Sequence, residues 1–417
     1  MRTSPLAAAV LALLPLHLAA QEKPQADRPP GSVETSAGRL RIEKLATLEF
    51  PWGMDVLPDG RVLITEKPGR LRVWERGQLS EPIAGLPDLV YRGEKDQGGL
   101  MDIAADPEFE REGWVYFSFV EAAEQQSPEA AETGEVRFGD ALDTSDNIIR
   151  AGAVARAKLD GNRLTDVEVI WRQTPKTLGR GHFGNRLVFA PDGTLFITSG
   201  ERMRFDPAQS LSSNLGKIVR INADGTLPRD NPFVGKEDAL GDIYSYGHRN
   251  ILAAAIDPAN GNLWAFEMGP LGGDEVNLVR AGQNYGWPLV SNGDNYAGPE
   301  IPDHPSRPEF TQPVRTWTPV VSPSGAMFYQ GRLFPGWRGS ALVGGLSSQC
   351  IVRLVFDGER VRTEERIELG RRVRDVAEAP DGSILLLIDD KDGGLLRLTP
   401  GGGDRREDGG AARPPRE

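Results

Sequence analysis

The chain has 417 residues, with 48 Lys+Arg against 60 Asp+Glu and a net charge of -12. That acidic balance argues against nucleic acid or an anionic membrane as the main partner. Glycine (49) and proline (32) are plentiful and long amphipathic helices are missing, which points to a turn-rich all-β protein with ample length for a core.

Residues 1–20 carry Arg2, an apolar run at 6–16, and small residues at Ala19 and Ala20. This is the layout of a signal peptide, too short to span a membrane, with cleavage expected after Ala20. No cysteine follows it, so no lipoprotein anchor is expected, and the single Cys350 leaves no internal disulfide. The mature protein is therefore expected to be periplasmic or secreted, without a membrane span, as a monomer or homodimer. Residues 21–37 are polar and proline-rich and read as a flexible leader.

From Gly38 a phrase recurs: a turn with Asp-Gly or a near equivalent, then a short apolar strand. It appears as LPDGRVLIT at Leu57, DPEFEREGWVYFSF at Asp106 and APDGTLFITSG at Ala190. It returns as DPANGNLWAFEMG at Asp257, FPGWRGSALVGG at Phe334 and APDGSILLLIDD at Ala379. Six copies at roughly 45–80-residue spacing predict a radial repeat, a six-bladed β-propeller over residues 38–399. Residues 39–48 and 394–399 are the expected closing strands. An acidic insertion at 121–146 reads as a solvated loop, and the Gly/Arg/Pro-rich tail at 400–417 as disordered.

Several polar clusters fall on loops between strands, where a propeller would bring them to one mouth. They are KDQGGLMD with Gln97, GRGHFGNRLVF with His182, SYGHRN with Arg249 and Asn250, EMGPLGGDEVNL, GQNYGWP, DNYAG and GRRVRDV. Beyond the leader only His182, His248 and His304 can supply an imidazole. Gly181 and Gly184 flank His182 and give its loop backbone freedom. Arg372 and Arg374 alternate, so both face one side of a strand. Each cluster alone has an ordinary structural reading. Together they describe a cationic, hydrogen-bonding pocket for a polyanionic ligand in an acidic protein.

In this order the clusters resemble the soluble pyrroloquinoline quinone (PQQ)-dependent aldose sugar dehydrogenases, the glucose/sorbosone dehydrogenase family. The resemblance runs from about Phe50 to Thr399 and rests on QGGLMDIAADPEF, GHRN, GPLGGDEVNL and NYGWP. It implies a six-bladed propeller that oxidises the C1 hydroxyl of aldoses to lactones. His182 would be the base, and Arg249 would stabilise charge on the reduced cofactor. Gln97, Asn250, Tyr296, Arg372 and Arg374 would contact PQQ or substrate. The Gly269 and Pro270 carbonyls would hold a calcium ion, and Glu275 with the Tyr285 carbonyl a second, structural one. Electrons would leave to an external quinone or small redox protein, since no C-x-x-C-H haem motif is present.

The chain departs from the family at three places. Ser347 stands where a lysine usually faces the quinone, Gly181 where Asp or Asn precedes the histidine, and Asn185 where a second glycine follows it. Arg180 and Lys176 are the candidate replacements for the missing charge. Two other readings remain at this point: a non-catalytic propeller that binds a glycan or protein, and a calcium-dependent sugar lactonase.

Overall fold

The computed structural model describes residues 31–126, 148–296 and 298–401. The predicted signal, most of the leader and acidic insertion, and nearly all of the tail lie outside them. The fold is all-β: six antiparallel sheets, five of four strands and one of five. The first strands of the six sheets are Pro51–Val56, Leu100–Ala105, Gly184–Phe189, Ile251–Ile256, Pro323–Phe328 and Val373–Glu378. Each packs against the next, and the last returns to the first, so they line the axis of a six-bladed propeller.

The recurrent phrase marks the passage from the first to the second strand of every blade. In its tightest form it is one turn used three times. The N–H groups of Gly60, Gly193 and Gly382 donate to the carbonyls of Leu57, Ala190 and Ala379, at 2.8, 2.9 and 2.8 Å. Each glycine has φ between 80° and 86°, the left-handed region that closes a three-residue hairpin loop at least cost. The strands that follow are apolar on both faces because both are covered, as in Val62–Glu66 and Ile384–Ile388, which are buried throughout. Apolar side chains interleave between neighbouring blades. Leu195, Ile197, Val219 and Ile221 pack on Tyr116, Val154 and Trp171 of the preceding blade. Burial of each such side chain contributes about 1.5–3 kcal/mol, and this layer holds the ring together.

The ring closes where expected: Gly38–Leu48 pairs with Gly393–Pro400 in the last blade. The leader boundary differs. Ser32–Thr35, predicted flexible, is an edge strand on Gly38–Leu48. Val33 packs on the last blade's core, and Glu365 of the preceding blade accepts from Ser36 N and Oγ at 2.6 Å each. The acidic insertion also starts later than predicted, since Glu121 and Ala122 still belong to the strand Trp114–Ala122.

One irregularity matters for the site. In all six blades the pairing of first and second strands shifts register near the start of the first strand. Bulges of this kind re-aim side chains. The displaced residues include Trp52, Met101, Asp102, Arg186, Leu252 and Arg374, and four of these line a cavity at one end of the axis.

Candidate active site

That cavity has a volume of about 290 Å³. Its walls come from two repeated positions. The bulges supply Trp52, Met101, Leu252 and Arg374, and the residue just after the second strand supplies Lys67, Met268, Leu346 and Asp389 in four blades. The loop 94–97, Phe183, Ser322 and Arg372 complete it. Gln97, Arg372 and Arg374 were expected here from the sequence; Lys67 and Asp389 were not. The signal for them was present in the repeat itself, as the first residue beyond each recurrent strand.

Arg372 and Arg374 converge on one carboxylate oxygen, Asp389 Oδ2, at 3.0 and 2.7 Å. Burial alone would raise the Asp389 carboxyl, but Arg374, Lys67 and Arg372 outweigh it and hold it at about 2. Asp389 is thus ionised and spent on the arginines, and the cavity keeps a surplus of positive charge. Asp96, the other buried acid of the wall, is paired with Arg150 Nη1 at 2.7 Å.

His182 adjoins this cavity through its neighbours Gln97 and Phe183. Its loop is tied down from several sides. Gln97 Oε1 accepts the His182 backbone N–H at 3.0 Å. Arg202 donates to the carbonyls of Gly181, Arg150 and Gly179 at 2.9, 2.8 and 2.7 Å, and its guanidinium lies 3.8 Å over the Phe183 ring. The glycines do not play the part expected of them equally. Gly184 takes φ +69°, but His182 itself sits at φ 51° and Asn185 at 68°. Left-handed backbone at a histidine is strained and persists only where the surroundings over-determine it. Gly200 is the close approach that permits it, since a Cβ there would lie 2.2 Å from the His182 carbonyl oxygen.

The imidazole has a partner that sequence reasoning missed. Glu201 Oε1 lies 2.5 Å from His182 Nδ1, and its other oxygen accepts the backbone N–H groups of Arg204 and Phe205 at 2.5 and 2.8 Å. A carboxylate so held fixes the Nδ1–H tautomer and leaves Nε2 as a lone-pair acceptor. Burial, then the nearby Arg249 guanidinium, lowers the His182 pKa against the opposing pull of Glu201. The ring is neutral near pH 7, in the form a base requires.

The other two described histidines are also paired with glutamates, away from the cavity wall. His248 bonds Glu267 and Ser245, and its ring stacks on Tyr285 with centroids 4.5 Å apart. His304 Nε2 lies 2.9 Å from Glu275 Oε1, while Glu275 Oε2 accepts from Asn277 at 2.9 Å. An ion held by Glu275 and the Tyr285 carbonyl would compete with His304 for that oxygen.

Arg249 Nη1 donates to the carbonyls of Met268 and Gly269 at 3.1 and 2.9 Å. Tyr296, 60% exposed, donates from its hydroxyl to the Pro270 carbonyl at 3.1 Å. Each of the two carbonyls keeps a second lone pair for a hard cation, although two oxygens are far short of the six to eight that calcium takes, so a bound ligand would have to complete the shell. Among the described residues no group of three or more His, Cys, Asp or Glu is placed to hold a metal. Arg249 Nε, Asn250 Oδ1, Arg374 Nε and Asp389 Oδ1 are buried without a hydrogen-bond partner. Unpaired buried polar atoms are costly, and the two that belong to the cavity wall, Arg374 Nε and Asp389 Oδ1, mark a place for a polar ligand.

A propeller with a cationic mouth and a carboxylate-anchored histidine at its edge is the architecture of a small-molecule enzyme. The chain belongs to the glucose/sorbosone dehydrogenase family, whose family model matches residues 48–397. It is 36% identical over 360 residues to aldose sugar dehydrogenase YliI of Escherichia coli K12, covering 84% of this chain and 90% of that one. It is 26% identical over 433 residues to quinoprotein glucose dehydrogenase B of Acinetobacter calcoaceticus, covering 84% and 85%. The apo crystal structure of the soluble E. coli aldose sugar dehydrogenase superposes with a TM-score of 0.76 at 34% identity, over 87% of this chain and all (100%) of that one. The PQQ-bound aldose sugar dehydrogenase of Streptomyces coelicolor does so with a TM-score of 0.65 at 25% identity, over 86% and 98%. No helix among the described residues is long and apolar enough to cross a membrane.

Proposed function

We propose that the protein is an exported PQQ- and calcium-dependent dehydrogenase that oxidises the C1 hydroxyl of aldose sugars to lactones. The observation that carries this reading is the neutral His182, held by Glu201 at the edge of a cavity whose arginines outnumber its free carboxylates. The residues present fit a planar polycarboxylate. Arg372 and Arg374 would take its carboxylates, Trp52 and Phe183 offer aromatic surface, and the unpaired Arg249 Nε and Asn250 Oδ1 would complete polar contacts.

A bound PQQ would supply the hydride acceptor for the sugar C1 carbon, and a calcium ion held by the Gly269 and Pro270 carbonyls would supply Lewis acidity. The remaining work falls to this chain. His182 Nε2 takes the proton of the C1 hydroxyl, Glu201 holds the ring in the required tautomer, and the proton ends on the imidazolium. Arg249 brings a fixed positive charge near the reacting oxygens, already oriented by two carbonyls. Gln97 fixes the His182 backbone and presents the rest of its amide to the mouth. Electrons would then pass to an external quinone or small redox protein.

The lactonase reading calls for a carboxylate-rich centre. Here the central acid Asp389 is taken up by Arg372 and Arg374. Product analysis separates the readings: with PQQ, calcium and an artificial electron acceptor, glucose or xylose should yield the aldonolactone. Lactone hydrolysis without quinone, and no sugar oxidation with it, would overturn the proposal.

The pH profile follows from the site. A base whose pKa lies below the ordinary 6.5 is already neutral above that value. kcat/KM is therefore expected to be flat from pH 8 down to 6.5 and to fall only below it. In Glu201→Gln the tautomer is no longer fixed, and kcat should drop by roughly 10²-fold. An acid limb at or above pH 7 in the wild type would contradict the neutral-base assignment.

A further inference from the structure

The proposed mechanism leaves two cations of the cavity wall unused, the exposed Lys95 and the buried Lys67. Lys67 follows directly on the second strand of the first blade, the repeat position that puts Met268, Leu346 and Asp389 in the wall elsewhere. Its backbone is fixed: the Lys67 N–H donates to the Phe50 carbonyl at 3.0 Å, and its own carbonyl accepts from Leu100 at 3.1 Å. The side chain passes over the Phe50 ring, 5.0 Å from Nζ to the centroid, and the residue is 5% exposed. Its ammonium makes one long hydrogen bond, 3.3 Å to the Asp96 carbonyl. An ammonium has three donors, so two remain for whatever enters the cavity.

Ser347 and Lys176 are committed elsewhere. Ser347 Oγ, at the position of the family's lysine, pairs with Ser322 Oγ at 2.6 Å. Lys176 Nζ is bound to Glu121 Oε1 at 2.6 Å and the Ala122 carbonyl at 3.0 Å.

We infer that Lys67 is a ligand-binding residue of this chain, the ammonium that faces an anionic oxygen of the bound cofactor in place of the lysine that Ser347 displaces. The assignment rests on the PQQ reading above. It carries a signature that Arg372 and Arg374 cannot share. Burial, the largest influence, lowers the Lys67 pKa to about 8, with Arg374 and Arg372 acting in the same sense and Asp389 and Asp96 opposing. The neighbouring Tyr91 phenol is pushed up to about 12 and stays neutral in this range. An anion that binds the protonated amine raises its pKa. Affinity should therefore be constant below pH 8 and weaken above it by up to about tenfold per pH unit until the bound-state pKa is passed.

The experiment is a titration of the full chain with PQQ in calcium buffer, read by quenching of tryptophan fluorescence, from pH 6.5 to 9.5. Trp52 in the wall supplies a reporter, and no turnover is needed. Lys67→Met should bind about ten- to hundredfold more weakly at pH 7 and lose the slope above pH 8. Lys67→Arg should bind at pH 7 nearly as well as the wild type and also lose the slope, because guanidinium does not titrate there. Wild-type binding without a slope, together with unchanged affinity in Lys67→Met, would overturn the role of Lys67 and leave the cofactor reading standing. A folded wild type that does not bind PQQ at any pH would overturn both.

Discussion

His182→Ala is expected to lower kcat for aldose oxidation by 10²-fold or more, at the upper end about 10⁴-fold, while PQQ affinity stays essentially unchanged. The reasoning is positional. The imidazole is fixed by Glu201 on one nitrogen and by Gln97 through its backbone, and neither unpaired polar atom of the cavity wall belongs to it. Removing the ring deletes the proton acceptor but leaves Arg372, Arg374 and the aromatic walls in place. Anaerobic stopped-flow of the protein–PQQ complex with sugar measures the first effect, and equilibrium titration the second. A loss of activity that tracks a loss of cofactor affinity would make His182 a binding residue only. Unchanged turnover would remove it from the chemistry.

The largest effect on stability is expected from Arg186→Met. Arg186 lies on the axis below the cavity, with Nη1 2.9 Å from Asp102 Oδ1 and 3.2 Å from Asp375 Oδ1, and its guanidinium 4.4 Å over the Trp52 ring. All three charged side chains are buried. Breaking such a group from one side costs about 3–5 kcal/mol, because the remaining carboxylates lose their counter-charge. Burial already raises the Asp102 carboxyl to about 7, against the pull of Arg186. An acid raised in the folded state contributes most to stability below its unfolded value, near 4, and that contribution is lost as pH rises through about 7. Without Arg186 both acids rise further. The deficit of the variant, measured by urea unfolding, should therefore be larger at pH 8 than at pH 5, which lies below the Asp102 value. An equal deficit at the two pH values would show that lost packing, not stranded charge, dominates.

Arg186 also shows where the sequence was legible and where it was not. It stands in GRGHFGNRLVF beside a more conspicuous histidine, and nothing local distinguishes it from a solvated strand arginine. Only the register shift between Gly184 and Leu187 turns it into the axis, opposite acids 84 and 189 residues away (186 − 102 and 375 − 186). The propeller, by contrast, was readable because one turn chemistry repeats, and each repeat reports the same strand passage. His182, Gln97 and the paired arginines were readable as unusual residue types in glycine-rich or alternating contexts. Glu201 was not, because a carboxylate two residues past a strand carries no mark of its own until the fold shows what it faces. Lys67 was visible only through the repeat, as the counterpart of Met268, Leu346 and Asp389. The leader strand Ser32–Thr35 was missed for a related reason: its place is fixed by Val33 packing on the last blade's core and by Glu365 on another strand holding Ser36, not by its own pattern.

The central claim is that this cavity binds PQQ and lets sugar reduce it. The most direct measurement is anaerobic reconstitution: the purified protein is loaded with PQQ in calcium, and the quinone absorbance is followed as glucose, xylose or maltose is added. Saturable binding at one PQQ per chain, followed by bleaching on sugar addition in the wild type and little bleaching in His182→Ala, is the predicted result. A folded protein that binds no PQQ with calcium present, or binds it and leaves it oxidised in every aldose tested, would contradict it.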